Sequence, residues 1–326
     1  MRPGEVFSQD EIRELRQRSD WIGGLLVLHA WGAIFAAMAL FVLWPNPLTF
    51  LAAAMLIGGR QLGLAILMHD AAHGLLFRTR RFNEFAGQWL CAYPVVTDLR
   101  LYRPYHLKHH RFTQQDNDPD LVLSAPFPIT GKSLRRKVLR DLSGRTAFTR
   151  RRQQFAMAWG EGGMPWRERW ARLKTGGLIG AAAVNLALLA LLGAAGCWWL
   201  YPALWLLPLA TWYQLISRVR NIAEHAMVPD NDDPLRNTRT TYAGWIIRAL
   251  LAPYWVNYHL EHHLLLFVPC YRLPKAHRLL LAKGYGSKME VRKSYAEVLR
   301  LAASAASEGG GSSGSPAGGG MKTAHI

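Results

Sequence analysis

The sequence predicts an all-α integral membrane protein with four transmembrane helices in two hairpins and a helical cap on the cytoplasmic side. Half of the 326 residues are hydrophobic, yet the mean hydropathy is only +0.01. Apolar and charged residues must therefore be segregated along the chain. Long apolar blocks do alternate with strongly basic segments, which is typical of a membrane protein with large water-facing parts.

The first hairpin is predicted from two apolar blocks near the N-terminus. Residues 21–44 are long enough to cross about 30 Å of hydrocarbon at about 1.5 Å per residue. After a Pro-Asn-Pro turn, residues 48–67 return across the membrane. Arg60 and Gln61 interrupt this second block and should face protein or water, because a charge that faces lipid is costly.

The second hairpin follows a long basic insert. Residues 176–200 are predicted as the third span, Tyr201-Pro202 as a break, and residues 203–217 as the fourth span. The fourth block is short for a bilayer. Its helix is expected to continue into the cytoplasm, because no proline or glycine follows before Pro229.

The formal charge of +17 is distributed along the chain in a pattern that predicts the topology. Of the 39 lysines and arginines, 4 precede residue 21, 20 lie between residues 77 and 175, 14 follow residue 217, and Arg60 alone lies within an apolar block. This placement favours a cytoplasmic location for both termini and for the insert. Anionic lipid headgroups are the expected electrostatic partner, and nucleic acid is not.

The chain divides into three segments. Residues 1–20 are a polar cytoplasmic segment without a signal-peptide pattern, residues 21–303 form the membrane domain, and the Gly/Ser-rich residues 304–326 are expected to be a disordered tail. Within the domain, residues 134–152 are predicted to be a basic helix on the membrane surface, although a solvated charged face explains the pattern nearly as well. Three widely spaced cysteines indicate neither a disulfide framework nor a thiolate metal site.

Nine of the twelve histidines lie in four tight clusters. HDAAH at residues 69–73 is an i,i+4 pair, whereas HLKHH at 106–110 and HLEHH at 259–263 add a histidine at i+3. Both spacings converge on one face of a helix. Asn221 and His225 form a further i,i+4 pair beyond the fourth span. The candidate ligands are therefore His69, His73, His106, His109, His110, Asn221, His225, His259, His262 and His263.

The clusters predict a di-metal site in the cytoplasmic cap. Neutral imidazole is a good ligand for divalent first-row metals, and nine imidazoles exceed the six positions of one octahedral ion. Asp70, Glu224 and Glu261 could orient imidazole N–H groups, although each is individually better explained as a surface charge. The alternative is a set of ordinary histidines on helix surfaces. No ligand role is assigned to the remaining histidines, which are His29, His277 and His325.

HDAAH, HLKHH and HLEHH at these separations resemble the three histidine boxes of the membrane fatty-acid desaturase and hydroxylase superfamily. The resemblance runs roughly from His69 to Pro274 and implies four spans capped by a helical cytoplasmic domain. It also implies that the boxes bind two irons. His225 matches a further histidine ligand of the family, and Asn221 matches an asparagine that contacts a metal through water. The surroundings of HLEHH resemble acyl-lipid and sphingolipid desaturases.

The resemblance implies an O2-dependent di-iron desaturase of the bacterial inner membrane that introduces a double bond into a fatty-acyl or related lipid chain. The sequence lacks the His-Pro-Gly-Gly motif of a fused cytochrome b5 domain, so electrons should come from a separate ferredoxin or cytochrome b5 type donor. A hydroxylase or ketolase acting on a lipid, alkane or carotenoid is the nearest alternative. A non-catalytic metal-handling or lipid-binding membrane protein is the alternative from a different class.

Overall fold

The computed structural model describes residues 3–306, and most of these residues are helical. Two short helices, α1 (Pro3–Val6) and α2 (Gln9–Leu15), lead into the two longest, α3 (Asp20–Leu43) and α4 (Pro47–Ala72). Both long helices are apolar and long enough to cross a membrane, and they pack side by side as a hairpin. They lie where the sequence predicts the first two spans.

Local sequence explains where the second of these helices begins. The Asn46 side chain accepts hydrogen bonds from the amides of Leu48 and Thr49, and Pro47 takes the first helical position. A proline at this position removes no helical hydrogen bond, because the first amides of a helix have no acceptor within the helix. The turn between α3 and α4 is therefore short and well capped.

The polar residues inside α4 face protein, as predicted. Arg60 is buried, and its Nη2 donates to the carbonyl oxygens of Arg248 and Ala249 at 3.1 and 2.6 Å. Gln61 is also buried and donates to the carbonyl of Trp205 at 2.8 Å. These contacts remove both side chains from lipid, which an apolar bilayer core requires.

A helical insert follows the first hairpin. The predicted basic helix over 134–152 is two helices, because Gly144 adopts a left-handed conformation (φ +76°) that ends the first of them. The elements of the insert are α5 (Arg80–Phe85), a π-helical turn (Ala86–Ala92), a 3₁₀ turn (Tyr93–Val95), α6 (Leu99–Arg111), α7 (Leu121–Ser124), α8 (Gly131–Leu142) and α9 (Arg145–Trp159).

The third predicted span is shorter than the sequence suggests. Helix α11 (Leu178–Ala194) ends before Gly196, which is left-handed (φ +74°), so the helix does not run on to residue 200. Helix α10 (Trp166–Thr175) precedes it at an angle of 67°, and only together does this bent pair reach the length and hydropathy of a span. Within residues 3–306, two helices could therefore cross a membrane, or three if the bent pair counts as one.

The fourth predicted span is a broken helix. A π-helical turn (Tyr201–Leu206), α12 (Leu207–Ala210) and α13 (Trp212–His225) follow each other with a break at Thr211. Pro202 and Pro208 lie within the first two pieces and lack the amide hydrogen that a continuous helix needs. The helix does continue beyond residue 217 as the sequence predicts, and His225 is its last residue.

The C-terminal part packs short elements against α4 and α13. Strand β1 (Thr240–Thr241) pairs in parallel with β2 (Val291–Arg292) in a two-stranded sheet. The helical elements are α14 (Trp245–Leu250), α15 (His259–Leu264), a 3₁₀ turn (Cys270–Arg272), α16 (Leu273–Ala282) and α17 (Tyr295–Ala302).

Two residues that the sequence assigns to the tail are paired with the insert. Ser304 forms an isolated antiparallel bridge with Thr130, and the Ala305 amide donates to the Ile129 carbonyl at 3.2 Å. Residues 307–326 lie outside the described part of the chain, so their disorder stays a prediction.

We expect two truncations to differ in thermal stability. Ending the chain after Ala306 should leave the free energy of unfolding unchanged, whereas ending it after Ala303 should lower it by about 1 kcal/mol, because one or two backbone hydrogen bonds are lost. Thermal unfolding of both truncations in the same detergent tests this. Equal midpoints would show that the bridge contributes nothing.

Candidate metal centre

Four helices bring all nine predicted histidines together in two groups. Within each group, every histidine offers a ring nitrogen that lies within 4.8 Å of the others. We name as the first group His69, His73, His106, His110 and His262. The second group consists of His109, His225, His259 and His263. The box on α6 and the box on α15 each contribute histidines to both groups, so the positions of the two groups depend on the same two helices.

Helical geometry explains how each HxxHH box is divided. At about 100° per residue, the i and i+4 side chains lie about 40° apart, and the i+3 side chain lies about 60° to the other side. His106 and His110 accordingly join the first group, and His109 joins the second. The box on α15 has the opposite division, with His259 and His263 in the second group and His262 in the first. The single converging face that the sequence predicts for each box is therefore two adjacent faces.

The imidazoles of the first group approach each other closely. His106 Nε2 lies 2.9 Å from His73 Nε2 and 2.8 Å from His110 Nε2, and His110 Nε2 lies 3.0 Å from His262 Nε2. Neither nitrogen of the buried His69 ring has a hydrogen-bond partner. Tyr102 stacks on the His106 ring at 5.0 Å between centroids. Four Nε2 atoms thus converge on one small volume.

The second group is held mainly by α13 and α15. His225, the last residue of α13, places its Nε2 2.8 Å from His259 Nε2. The buried His263 Nε2 has no hydrogen-bond partner. The rings of His263 and His110 lie 4.1 Å apart between centroids, so the two groups adjoin through this pair.

Residues just after the second box support the second group, a role that the sequence pattern alone did not predict. His109 Nδ1 lies 2.8 Å from the buried Asp118 Oδ1, and Asp118 Oδ2 accepts from the Gln114 amide. Thr113 Oγ1 lies 3.2 Å from His263 Nδ1, and Gln114 Nε2 donates to the His225 carbonyl at 2.8 Å. The signal was present as a polar run, TQQDND, directly after HLKHH.

The three carboxylates singled out from the sequence are not surface charges. All are buried. Asp70 accepts from the Cys270 amide at 2.9 Å, and Glu261 contacts His277 and Thr240, so the prediction that these two orient box imidazoles is wrong. Glu224 pairs with Arg220 and lies 3.6 Å from His259 Nε2, beyond hydrogen-bond length.

Asn221, His29 and His277 belong to neither histidine group. Asn221 is half-buried on α13, one turn before His225, and its role as a ligand stays a prediction. His29 belongs to neither group and hydrogen-bonds to the Tyr254 hydroxyl at 3.0 Å. His277 also belongs to neither, but it is buried. His325 lies outside the described residues.

Burial favours the neutral form of seven of these imidazoles. It lowers the pKa of His73 to about 4 and that of His110 to about 2, because water no longer solvates the charged form. The same cause lowers the pKa of further members well below its ordinary value, namely His106, His225, His259, His262 and His263. Neutral rings retain the lone pair that a metal ligand needs.

One side of the two groups is reachable from solvent. A surface cavity of about 350 Å³ is lined by His110 of the first group and His263 of the second, together with Thr113 and polar residues such as Gln115 and Asn231. Small molecules can therefore reach an edge of each group from outside the protein.

The sequence matches the family described as fatty acid desaturase over residues 44–295. The chain belongs to this family. The match contains all three histidine boxes and His225. The membrane desaturase and hydroxylase superfamily suggested by the boxes is thereby confirmed, and the desaturase-family protein described here is an oxidoreductase.

Two curated proteins are similar to this family member over most of their lengths. Dihydrorhizobitoxine desaturase of Bradyrhizobium elkanii is 26% identical over 290 residues, which cover 84% of this chain and 80% of that protein. Beta-carotene ketolase of Paracoccus sp. (strain PC1) is 27% identical over 265 residues, covering 78% of this chain and 87% of that protein. The two relatives carry different activities on the same superfamily scaffold.

Proposed function

We propose that this protein is an O2-dependent di-iron desaturase that introduces a double bond into a fatty-acyl or related lipid chain. The observation that carries the proposal is the pair of adjacent histidine groups, one with five members and the other with four. The family match supports the reaction class.

The residues present fit two metal ions. Two nitrogens bound at about 2.1 Å and at right angles on one ion lie about 3 Å apart. The measured Nε2 separations within the groups are 2.8 to 3.0 Å. Each group also contains a buried Nε2 without a hydrogen-bond partner, on His69 and on His263. A cation in each group would satisfy these orphaned lone pairs, which are otherwise costly to bury.

The chain's own residues would hold the ions and shape their surroundings. When bound, the two irons supply the activation of O2. Asp118 accepts from His109 Nδ1, which fixes the ring's tautomer and leaves Nε2 free as a ligand atom. Tyr102 covers one face of His106, and the buried positions of the imidazoles limit water. Imidazole ligands suit iron, as they also suit zinc, copper and nickel.

Access to the groups supports a separate electron donor. The cavity beside His110 and His263 opens on the protein surface, and electrons delivered there would reach both groups. We propose a ferredoxin or cytochrome b5 type protein as the donor. We also propose four spans in a bacterial inner membrane, with both termini and the metal centre on the cytoplasmic side, and the placement of basic residues supports this orientation.

A hydroxylase or ketolase is the second candidate, favoured by the similarity to a beta-carotene ketolase. The enzyme would then add an oxygen atom from O2 to carbon instead of removing two hydrogens.

Metal content and product analysis together test the proposal. We expect the purified protein to carry two irons per chain, and lipids of an expressing host to lose two hydrogens per modified chain. Lipids that gain an oxygen would favour the second candidate. Labile zinc, with unchanged lipids in a host that supplies a donor, would contradict the proposed oxidoreductase activity.

A further inference from the structure

A buried hydrogen-bond chain outside the two groups ends on the third histidine box. His277, on α16, places Nδ1 2.6 Å from Glu261 Oε1, and Thr240 Oγ1 lies 2.5 Å from Glu261 Oε2. His277, Thr240 and Glu261 are all buried. Glu261 lies on α15 between His259 of the second group and His262 of the first.

The donors and acceptors of these hydrogen bonds follow from the chemistry of the side chains. A carboxylate only accepts hydrogen bonds, and here each oxygen has one donor, the Thr240 hydroxyl and the His277 Nδ1–H. The Tyr242 hydroxyl lies 3.1 Å from His277 Nε2 and can donate to it. Both ring nitrogens of His277 and both carboxylate oxygens of Glu261 therefore have a partner within this set.

Helix α15 needs such a support. It has only six residues, and no side-chain hydrogen bond caps its N-terminus. A helix this short is not stable by itself, so contacts with the rest of the protein must set its orientation. It supplies one ligand to the first group and two to the second, so a small rotation would displace ligands in both.

We propose that His277 and Thr240 are positioning residues that fix α15 through Glu261 and thereby set the ligand geometry of both histidine groups. The inference rests on the proposed di-metal function and assigns a role to a histidine that the sequence left without one. Removing either donor would leave a buried carboxylate oxygen unpaired, which a low-dielectric interior penalises strongly.

Paired substitutions test this role. His277→Leu removes the donor, whereas His277→Asn keeps an amide N–H near the position of Nδ1. Thr240→Val removes the hydroxyl at similar volume, and Thr240→Ser keeps it. We expect His277→Leu and Thr240→Val to weaken iron binding about 10-fold, the lower end of the loss for a direct hydrogen-bond partner of a ligand, because both residues act through Glu261. His277→Asn and Thr240→Ser should restore it.

The readouts are iron per chain, the Mössbauer spectrum of the loaded protein, and the thermal midpoint of the iron-free protein. Leu280→Ala is the matched control, because Leu280 is a fully buried residue of α16 that takes no part in the hydrogen-bond chain. We expect it to lower the midpoint at least as far as His277→Leu while keeping two irons and the wild-type spectrum.

Two outcomes would overturn the inference. One is a His277→Leu or Thr240→Val protein that binds two irons with an unchanged spectrum. The other is an equal loss of iron in Leu280→Ala, which would show that the loss of iron in His277→Leu follows from lower protein stability and not from the lost hydrogen bond. If His277→Leu does not fold, the Thr240→Val and Thr240→Ser pair gives the same test. A wild-type protein without bound metal would overturn the proposed function itself and, with it, this role.

Discussion

His262→Ala and His106→Ala should each abolish product formation while leaving the protein in the membrane. His106 lies at the centre of the first group, with its Nε2 2.9 Å from His73 and 2.8 Å from His110, and His262 closes the same group from α15. Removing a hydrogen-bond partner of a metal ligand typically lowers metal affinity or activity about 10- to 100-fold. Removing a ligand itself should therefore lower turnover by at least about 100-fold. Iron per chain and product formation in isolated membranes measure the effect.

His29→Ala is the matched control for these two variants. It makes the same change at a histidine of α3 whose hydrogen bond goes to Tyr254 and which belongs to neither group. We expect near wild-type turnover and full iron. Membrane insertion should survive in all three, because α6 and α15 lie outside the two helices long enough to span, and alanine in place of His29 keeps α3 apolar. Turnover at the wild-type level in His262→Ala and His106→Ala would show that the first group is not the reaction centre.

Local sequence predicted the first hairpin and the identity of the nine histidines. Both depend on patterns that act within one helix, namely a long apolar run and a spacing of three or four residues. The later spans were harder, because their ends depend on backbone conformations at Gly196 and Thr211 that composition does not reveal. Mean hydropathy is taken over many residues, so it does not detect such local breaks in a helix.

The division of the histidines into two groups could not be predicted from spacing. HLKHH and HLEHH have the same pattern, yet the i,i+4 pair enters the first group on α6 and the second group on α15. The difference arises because His106, the first histidine of its box, faces His69 on α4, whereas His259, the first histidine of the other box, faces His225 on α13. Such facing relations are tertiary, and no window of sequence contains them.

The roles of His277, Thr240 and Asp118 were missed for the same reason. Glu261 and His277 are 16 residues apart, and Thr240 and Glu261 are 21 apart, so their contacts appear only when α15, α16 and β1 pack together. Asp118 is closer to its partner, only nine residues from His109. A search for acidic residues within one turn of a histidine finds Asp70, Glu224 and Glu261, but not Asp118.

His225→Ala and Asn221→Ala should separate a direct ligand from one that acts through water. His225 provides α13's contribution to the second group, so its loss should remove about half of the bound iron, that of the second group, and abolish turnover. Asn221 precedes it by one helical turn and shares its face. An amide is a poorer ligand than imidazole, so Asn221→Ala should keep most of the iron and lower turnover about 10-fold or more.

Asn221→Asp supplies the comparison that decides the role of this side chain. Aspartate keeps an oxygen at the same position, so a water held between that oxygen and the metal would survive, and turnover should recover at least in part relative to Asn221→Ala. Iron per chain, product formation and the Mössbauer signal of the second group are measured in all three variants. Wild-type turnover in Asn221→Ala would show that the asparagine has no part in the metal site and only hydrogen-bonds nearby backbone. Loss of iron equal to that in His225→Ala would instead show that Asn221 is a direct ligand, because only then does its removal empty the second group.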